Sequence, residues 1–506
     1  MLRSLASSWL GLAVGVVVSF FLSPFVVNKL GAAWYGVWAI SAQFVGYLYL
    51  MDFGVRESVI RYTAKYAARS NGAALNRVLS AALAIYGVIT LLALAVTGVA
   101  VWGLPHWFNL EPEFWHDGRV AMAFTGLTIA QTFFFNVFNG VVLGLKRWEL
   151  TNVLGIGLNL LRASLIVVSL LGGGGIVSVA AVTFSVALLG GVINAFIALR
   201  LLREVSLPFS YVALRPRHLV ALGRRILGYG FYVIVNNVGE KIITATDAIV
   251  AGIFLPIQSV THLAIAGSLV GYLRALLGTS AQIFNPLASE LHSLREGSRL
   301  TAAFLLGIKI CTLITAPIAA SFVILGEQFI GLWMGPDFAG PSAPVLAVLA
   351  LAAFFSAPQY VFSAVLYGMS RHRVIALLRI AEAAANLLLS IILVQTLGLV
   401  GVALGTAIPS AIVVMLVLPA VAGRMVGVGV LRFYENAYLR PLLAITPFVV
   451  AAYWVRDAYP ATSLLGFFLR VGALLLLYVP VAFALVLDST ERALVLSRLR
   501  RRRGAD

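Results

Sequence analysis

The stretch YGFYVIVNNVGEKIITATDAIVAGIF, residues 229–254, carries three ionisable side chains within an otherwise apolar run. Glu240 and Asp247 are seven residues apart, so on a helix they share one face, where carboxylates can take up a proton or a cation. Lys241 lies about 100° around the helix and can attract an anionic group. Each charge costs roughly 2.5–3.5 kcal/mol at the centre of a membrane helix, so such charges usually have a partner or a function.

Arg162 and Arg274 are central in two other apolar runs. Arg274 allows two interpretations. It forms a structural ion pair with Glu240 or Asp247, or it attracts an anionic ligand together with Lys241. Arg162 has no acidic residue within its own helix turn, which predicts that it lines a cavity, and the alternative is an ion pair between helices.

Arg56 and Arg61 follow an apolar run at its predicted inner end. The preference of basic residues for the inner face explains them, and the alternative is a basic mouth that gathers an anionic group from the inner leaflet. Arginine suits this role because its planar fork holds two oxygens of one anion. Gln131, Asn136 and Asn139 could bond hydroxyl groups of a ligand, and the alternative is hydrogen bonding between helices.

Three other charged residues within apolar runs have simpler explanations. Arg379 and Glu382 are three residues apart and are expected to pair on one helix. Lys309 is expected to extend along its stem until the ammonium group reaches the inner interface.

These side chains belong to a chain of 506 residues that is 61% hydrophobic and only 11% charged. Soluble domains are about 45–50% apolar and about 25% charged, so this composition predicts an all-α polytopic membrane protein. The formal net charge of +17 then reflects the loops rather than a nucleic-acid-binding surface. The single cysteine, Cys311, lies in an apolar run and is expected to be a core residue.

Fourteen transmembrane helices are predicted, because a span needs about 20 mainly apolar residues. Their ranges are 6–28, 34–55, 78–101, 119–144, 151–171, 176–199, 228–254, 258–284, 302–325, 343–369, 374–396, 399–423, 441–457 and 462–487. With the N-terminus inside, most basic residues lie in inner loops, and the outer side holds only Lys29, Arg119 and Arg456. This asymmetry predicts an even number of spans and two cytoplasmic termini.

The sequence repeats itself at a distance of about 224 residues. VGYL recurs at 45–48 and 270–273, VFNGVVLGLKR at 137–147 aligns with VFSAVLYGMSR at 361–371, and GIVSVAAVT at 175–183 aligns with GLVGVALGT at 398–406. Each copy holds six predicted spans, so the copies form a parallel repeat. The predicted organisation is a bundle at 1–200, a cytoplasmic linker at 201–227, a bundle at 228–424, two additional helices at 441–487 and a basic cytoplasmic tail at 488–506.

The sequence lacks the motifs of an enzyme or an ATP-driven motor. It contains no GxxxxGK[ST] loop and no nucleophile elbow, and its histidines are scattered. The first outer loop, NKLGAAWYG, has no acidic residue, and no outer loop is large. We therefore expect no catalytic site, no metal and no cofactor.

The stretch LGAAWYGVWAISAQFVGYLYLMDFGVRESVIRYTAKY, residues 30–66, resembles the start of polysaccharide-transporter flippases of the multidrug/oligosaccharidyl-lipid/polysaccharide exporter superfamily. The shared features are Gly31, the Tyr35-Gly36 pair, Asp52-x-Gly54 and the basic residues that follow. The arrangement of six, six and two spans extends the resemblance over most of the chain.

The resemblance implies a flippase in the cytoplasmic membrane that moves polyprenyl-diphosphate-linked oligosaccharides by alternating access. Arg162, Lys241, Arg274, Arg56 and Arg61 are then expected to contact the diphosphate. Glu240 and Asp247 are expected to couple transport to an ion. Expected partners are the lipid-linked oligosaccharide, glycan-assembly enzymes and anionic lipids near the tail RLRRRRGAD. The alternatives are a cation-coupled multidrug antiporter of the same superfamily and a membrane enzyme of glycan assembly.

Overall fold

The computed structural model describes residues 2–213, 215, 217, 222 and 231–493, which form helices and turns without a strand. The helices of the first half are α1 (Leu2–Leu30), α2 (Ala32–Leu48), α3 (Val55–Ala67), α4 (Gly72–Trp107), α5 (Trp115–Gly144), α6 (Trp148–Leu171), α7 (Ile176–Glu204) and α8 (Phe231–Phe254). Arg224 and Arg225 of the predicted linker lie outside the described residues, as does most of the basic tail.

The second half also consists of helices, which range from 5 to 41 residues among those described. They are α9 (Ile257–Ala281), α10 (Phe284–Ser293), α11 (Gly297–Trp333), α12 (Pro336–Gly368), α13 (His372–Ile412), α14 (Leu418–Val426), α15 (Val430–Tyr434), α16 (Arg440–Ala458) and α17 (Leu464–Leu485). Helices satisfy their own backbone hydrogen bonds, so long apolar helices are the structure that hydrocarbon permits. The predicted all-α membrane architecture is confirmed.

Eleven helical stretches of the described chain are long and apolar enough to cross a membrane. One of them, Arg373–Val426, has 54 residues. It would be roughly 80 Å long as a straight helix, against a hydrocarbon core of about 30 Å. Gly398 interrupts it with a φ of 57°. The predicted number of fourteen stays a prediction, since α8 carries three charges and falls outside the eleven.

The predicted span at 34–55 is interrupted in the structure. It contains α2, a short 3₁₀ turn at Tyr49–Asp52 and the beginning of α3. Phe53 and Gly54 adopt left-handed backbone angles, with φ values of 48° and 73°. A glycine tolerates this conformation at little cost, and this explains the bend between Asp52 and Val55.

The chain forms two compact units, Met1–Thr261 and His262–Asp506, with the boundary inside α9. α8 packs against α2 in the first unit. The hydroxyl groups of Tyr47 on α2 and Thr246 on α8 are hydrogen-bonded to each other. Gly36 lets α2 approach the backbone at the start of α9 closely, because a Cβ atom at Gly36 would lie 2.4 Å from the carbonyl oxygen of Ile257.

Left-handed turns recur along the backbone at the spacing of the predicted repeat. Left-handed residues follow corresponding helices in both units, with Ser70 and Arg295 after α3 and α10, and Lys146 and Ser370 after α5 and α12. Their φ values are 49° and 58° for the first pair and 62° and 59° for the second. Matching turns 225 and 224 residues apart mean that corresponding helices can be compared position by position.

The ammonium group of Lys309 reaches carboxylates that follow the end of α17, and its expected position at the inner interface stays a prediction. Lys309 is 1% exposed, and its Nζ atom lies 2.8 Å from Asp488 and 2.9 Å from Glu491. Asp488 also accepts from Arg440 at 2.6 Å, and Arg440 reaches Glu435 at 2.6 Å. The ammonium group is held inside the second unit because two carboxylates from the end of the chain neutralise it.

Candidate functional site: a polar cavity in the first unit

A cavity of about 280 Å³ lies among α3, α5, α6 and α7 of the first unit. We call it the polar cavity. Its polar lining consists of one arginine, three asparagines and two threonines: Arg56, Asn136, Asn139, Asn194, Thr132 and Thr151. The remaining lining residues are apolar or glycine, so the donors and acceptors are few and specifically placed, as in ligand sites.

The shape of the polar cavity follows from small residues. A Cβ atom at Gly190 would lie 2.5 Å from Leu158, and one at Gly191 would lie 2.3 Å from Phe135. These glycines let α7 approach α5 and α6 closely. Gly155 has no neighbour within 4 Å of an added Cβ atom, because it faces the open space.

The position of Arg56 depends on the packing of α3 against α5. Gly140 and Gly144 form this contact, since added Cβ atoms would lie 2.8 Å from Val59 and 2.7 Å from Thr63. The guanidinium of Arg56 donates to the neighbouring Glu57 at 3.1 Å. An arginine has five N–H donors, so this single exposed contact leaves others for a ligand.

Several buried polar atoms on these helices have no hydrogen-bond partner within the described part of the chain. Two belong to the cavity lining, Arg56 Nε and Thr151 Oγ1. Four belong to other residues on the same helices: Thr63 Oγ1, Arg119 Nε, Gln131 Oε1 and Arg162 Nε. Buried polar atoms are nearly always satisfied in folded proteins, so this concentration points to a ligand or solvent site.

Arg162 continues the cavity-lining face of α6. Thr151, Gly155, Leu158 and Arg162 follow the spacing of four, three and four residues that defines one helix face. The guanidinium donates to Asn159 Oδ1 at 2.8 Å, and Arg162 is half-buried. The prediction that Arg162 lines a cavity is therefore compatible with its position one turn beyond Leu158.

The amides of α5 divide between the two predicted roles. Gln131 donates to the carbonyl oxygen of Phe184 on α7 at 3.4 Å, which is a hydrogen bond between helices. Asn136 and Asn139 line the polar cavity instead. Arg61 is exposed and does not line the polar cavity, so Arg56 and Arg61 do not act there as a pair.

The charges of α8 occupy different environments within the first unit. Glu240 is exposed, whereas Asp247 is buried beside Thr246, which bonds to Tyr47. The ammonium group of Lys241 lies close to Gly46, since a Cβ atom added at Gly46 would be 3.5 Å from Lys241 Nζ. The two acids share a helix face by spacing, but they differ in exposure.

Arg274 is half-buried on α9 within the second unit. Its predicted pairing with Glu240 or Asp247 would join the two units and stays a prediction. The expected pair on α13 is confirmed, since Arg379 Nη1 lies 3.3 Å from Glu382 Oε2.

The sequence reasoning missed three polar residues of the cavity lining, Asn194, Thr132 and Thr151, and the open glycine Gly155. Asn194 was detectable as an amide within the apolar run 176–199. Thr151 and Gly155 are ordinary residues at the start of a span, and only their position opposite α7 gives them a role.

Comparisons with known proteins agree with this architecture. The family described as polysaccharide biosynthesis protein matches residues 3–292, more than half of the chain. The uncharacterized membrane protein EpsK of Bacillus subtilis (strain 168) is 22% identical over 508 residues, which cover 97% of this chain and 96% of EpsK.

Two solved structures share the fold. Lipid II flippase MurJ, in an inward closed conformation, superposes with a TM-score of 0.72 and 13% identity over 95% of this chain and 98% of its own. An inward-facing multidrug resistance MATE family transporter of the MOP superfamily has a TM-score of 0.65 and 17% identity over 81% of this chain and 94% of its own.

Proposed function

The chain belongs to the polysaccharide biosynthesis protein family, and we propose that it is a flippase for polyprenyl-diphosphate-linked oligosaccharides. In this proposal it moves them from the cytoplasmic to the outer leaflet of the cytoplasmic membrane, for surface polysaccharide synthesis. The observation that carries the proposal is the polar cavity. A guanidinium beside several amides, enclosed by apolar helices, suits a phosphate joined to sugars.

Each part of the substrate has a matching set of side chains. Arg56, Arg162 and Lys241 in the first unit would supply donors for the diphosphate, as would Arg274 in the second. The amides of Asn136 and Asn139 can both donate to and accept from sugar hydroxyls. Arg61 is exposed on α3 and would attract the diphosphate from the inner leaflet.

Transport would proceed by alternating access between the bundles at 1–200 and 228–424, with the helices at 441–487 as an addition. Parallel repeats of this kind commonly bind substrate near the membrane midplane. Glu240 and Asp247 would couple the cycle to a proton or cation. Both termini would be cytoplasmic, where anionic lipids and glycan-assembly enzymes would contact the basic tail.

A pair of glycine variants tests the role of the polar cavity. Gly155→Leu places a side chain into the cavity without a backbone clash, whereas Gly157→Leu adds the same side chain at an open position outside the lining. We expect flipping of a labelled polyprenyl-diphosphate sugar in proteoliposomes to fall about tenfold or more in Gly155→Leu, since misplacing substrate by 1 Å can cost that much. Gly157→Leu should retain transport.

Equal transport by both glycine variants would remove the polar cavity from the proposal. Absence of flipping by the unmodified protein, with glycosyl transfer in its place, would make it an enzyme of glycan assembly.

The fold similarity to a multidrug resistance MATE family transporter supports a second candidate, a cation-coupled drug antiporter. The buried carboxylate of Asp247 would suit such a cargo. Drug sensitivity of a deletion strain whose surface polysaccharide is normal would favour this candidate over the flippase.

A further inference from the structure

The second unit contains a groove of about 620 Å³ that the proposed function does not use. We call it the basic groove. Three arginines from three separate segments line it: Arg295 after α10, Arg371 before α13 and Arg424 on α14. His292 adds a fourth basic group, and the described lining includes no carboxylate.

The arginines of the basic groove differ from their neighbours in having no acidic partner. Arg299 lies close by in sequence and pairs with Glu296 at 2.6 Å. Among the described residues, Arg295, Arg371 and Arg424 make no ion pair and no side-chain hydrogen bond, and all three are exposed. Three unneutralised guanidinium groups around one concave surface raise the local potential for anions.

The corresponding surface of the first unit is covered by the chain itself. The segment after α7 runs back over the start of α4, where Asn76 donates to the carbonyl oxygen of Pro208 at 3.2 Å. Leu207 is 5% exposed, and its Cδ2 atom would lie 3.4 Å from a Cβ atom at Gly72. This position is therefore filled by apolar packing.

The second unit fills the equivalent place in a similar way, because Val428, which follows the left-handed Gly427, is 1% exposed. Gly297 and Thr301 correspond to Gly72 and Asn76, and both line the basic groove. The residue after α14 is Gly427, with a φ of 75°, and α15 begins three residues later at Val430. Thr301 donates to the carbonyl oxygen of Val426, so the chain stays close to the start of α11, and the arginines surround an open groove beside this contact.

We propose that the basic groove binds a phosphate-bearing ligand. Arginine forks match phosphate oxygens, and three of them can hold a group of two or more negative charges. Two sources share this chemistry, an anionic phospholipid headgroup at the inner surface and a soluble diphosphate. The inference is independent of the polar cavity, which belongs to the other unit.

Two triple variants of the full-length protein test the proposal. Arg295→Gln, Arg371→Gln and Arg424→Gln together remove the arginines of the groove. Arg69→Gln, Arg373→Gln and Arg432→Gln together remove the same charge from exposed positions outside the lining. Binding of inorganic pyrophosphate is measured by calorimetry in detergent. Retention of phosphatidylglycerol against excess phosphatidylcholine is measured by native mass spectrometry.

We expect the groove variant to weaken binding of at least one probe about tenfold or more, and the control variant to change it by about twofold or less. Loss of the lipid alone identifies the headgroup as the ligand, and loss of pyrophosphate alone identifies a soluble ligand. Equal effects in both variants, or no binding by the unmodified protein, would overturn the proposal.

Gly297→Leu is a second test of the basic groove, and it addresses the possibility that the triple variant loses binding because it misfolds. A Cβ atom at Gly297 meets nothing within 4 Å, so the leucine should enter the groove while every charge is kept. It should weaken binding of the same probe as the groove variant. Unchanged binding in Gly297→Leu, together with an equally folded protein, would contradict the assignment.

Discussion

In the first unit, Gly155 and Leu158 of α6 face a polar cavity of about 280 Å³. In the second unit, Arg379 and Glu382 occupy the corresponding positions of α13, 224 residues later, and the remaining space is about 10 Å³. Corresponding helices therefore surround an open site in one unit and a closed cluster in the other.

The closed cluster satisfies its own polar groups. Glu382 is 1% exposed and accepts from Arg379 at 3.3 Å, from Gln359 at 3.0 Å and from Ser410 at 2.5 Å. Gln359 and Ser410 replace the Phe135 and Ala187 of the first unit. A charge buried in this way is stable only because its partners are complete.

The polar groups within the apolar helices of the two units therefore differ in what satisfies them. Where arginine and glutamate fill the space and bond each other, the polar residues hold helices together. Where glycines leave the space open, Arg56 and Thr151 retain buried atoms without partners in the described structure. The second unit has two charged residues, Arg379 and Glu382, where the first unit has Gly155 and Leu158, so charge alone would favour a ligand site in the second unit. The buried polar atoms without hydrogen-bond partners favour a ligand site in the first unit instead.

The strongest test of this contrast is Glu382→Leu. We expect it to lower the free energy of unfolding by about 3–5 kcal/mol, because it removes the buried carboxylate that accepts from the half-buried Arg379, from Gln359 and from Ser410. Chemical unfolding in detergent measures the change. Glu204→Leu is the matched control, since it breaks the exposed Arg200–Glu204 pair and should cost roughly 0.3–0.5 kcal/mol.

A cost no larger than that of Glu204→Leu would mean that the closed cluster does not stabilise the second unit. The polar residues there would then be available for another role, and the contrast between the units would fail.

The sequence predicted what depends on local spacing. Arg379 and Glu382 are three residues apart, so their pairing follows from helix geometry alone, and the apolar runs follow from composition. The amides Asn136 and Asn139 were recognisable because polar residues are unusual within apolar helices.

What depends on distant parts of the chain was not predictable. Lys309 is buried because Asp488 and Glu491, about 180 residues later, reach it. Thr151 and Gly155 line the polar cavity because Gly190 and Gly191 bring α7 close to them. No period within a single helix contains this information, since it arises from packing between helices.

Loss of the amides that line the polar cavity should lower transport rather than stability. Asn136→Ala together with Asn139→Ala removes two hydrogen-bonding groups at about 0.5–1.5 kcal/mol each, so flipping should fall about tenfold. Ser363→Ala is the control, because Ser363 corresponds to Asn139 and lines the small space of the second unit. A similar loss of transport in Ser363→Ala would place both units in the substrate path and remove the distinction.

The smallest expected effect is an acid sensitivity confined to the second unit. The Lys309 ammonium and, next, the Arg440 guanidinium hold the pKa of Asp488 below its ordinary value. A lowered folded pKa contributes stability that is complete above the ordinary value of about 3.9 and is lost as pH falls through the folded pKa. Hydrogen exchange near α11 and α16 should therefore accelerate below about pH 4.

Lys309→Met shows whether this acid response comes from the buried ion pair. Without the ammonium, the pKa of Asp488 moves back towards its ordinary value, so the variant is less stable at neutral pH and loses less on acidification. Peptides around the polar cavity serve as the internal reference, because none of their lining residues contacts this network. Acid-induced exchange that rises equally in both units, or an unchanged response in Lys309→Met, would show that the carboxylate of Asp488 does not set the acid stability of the second unit.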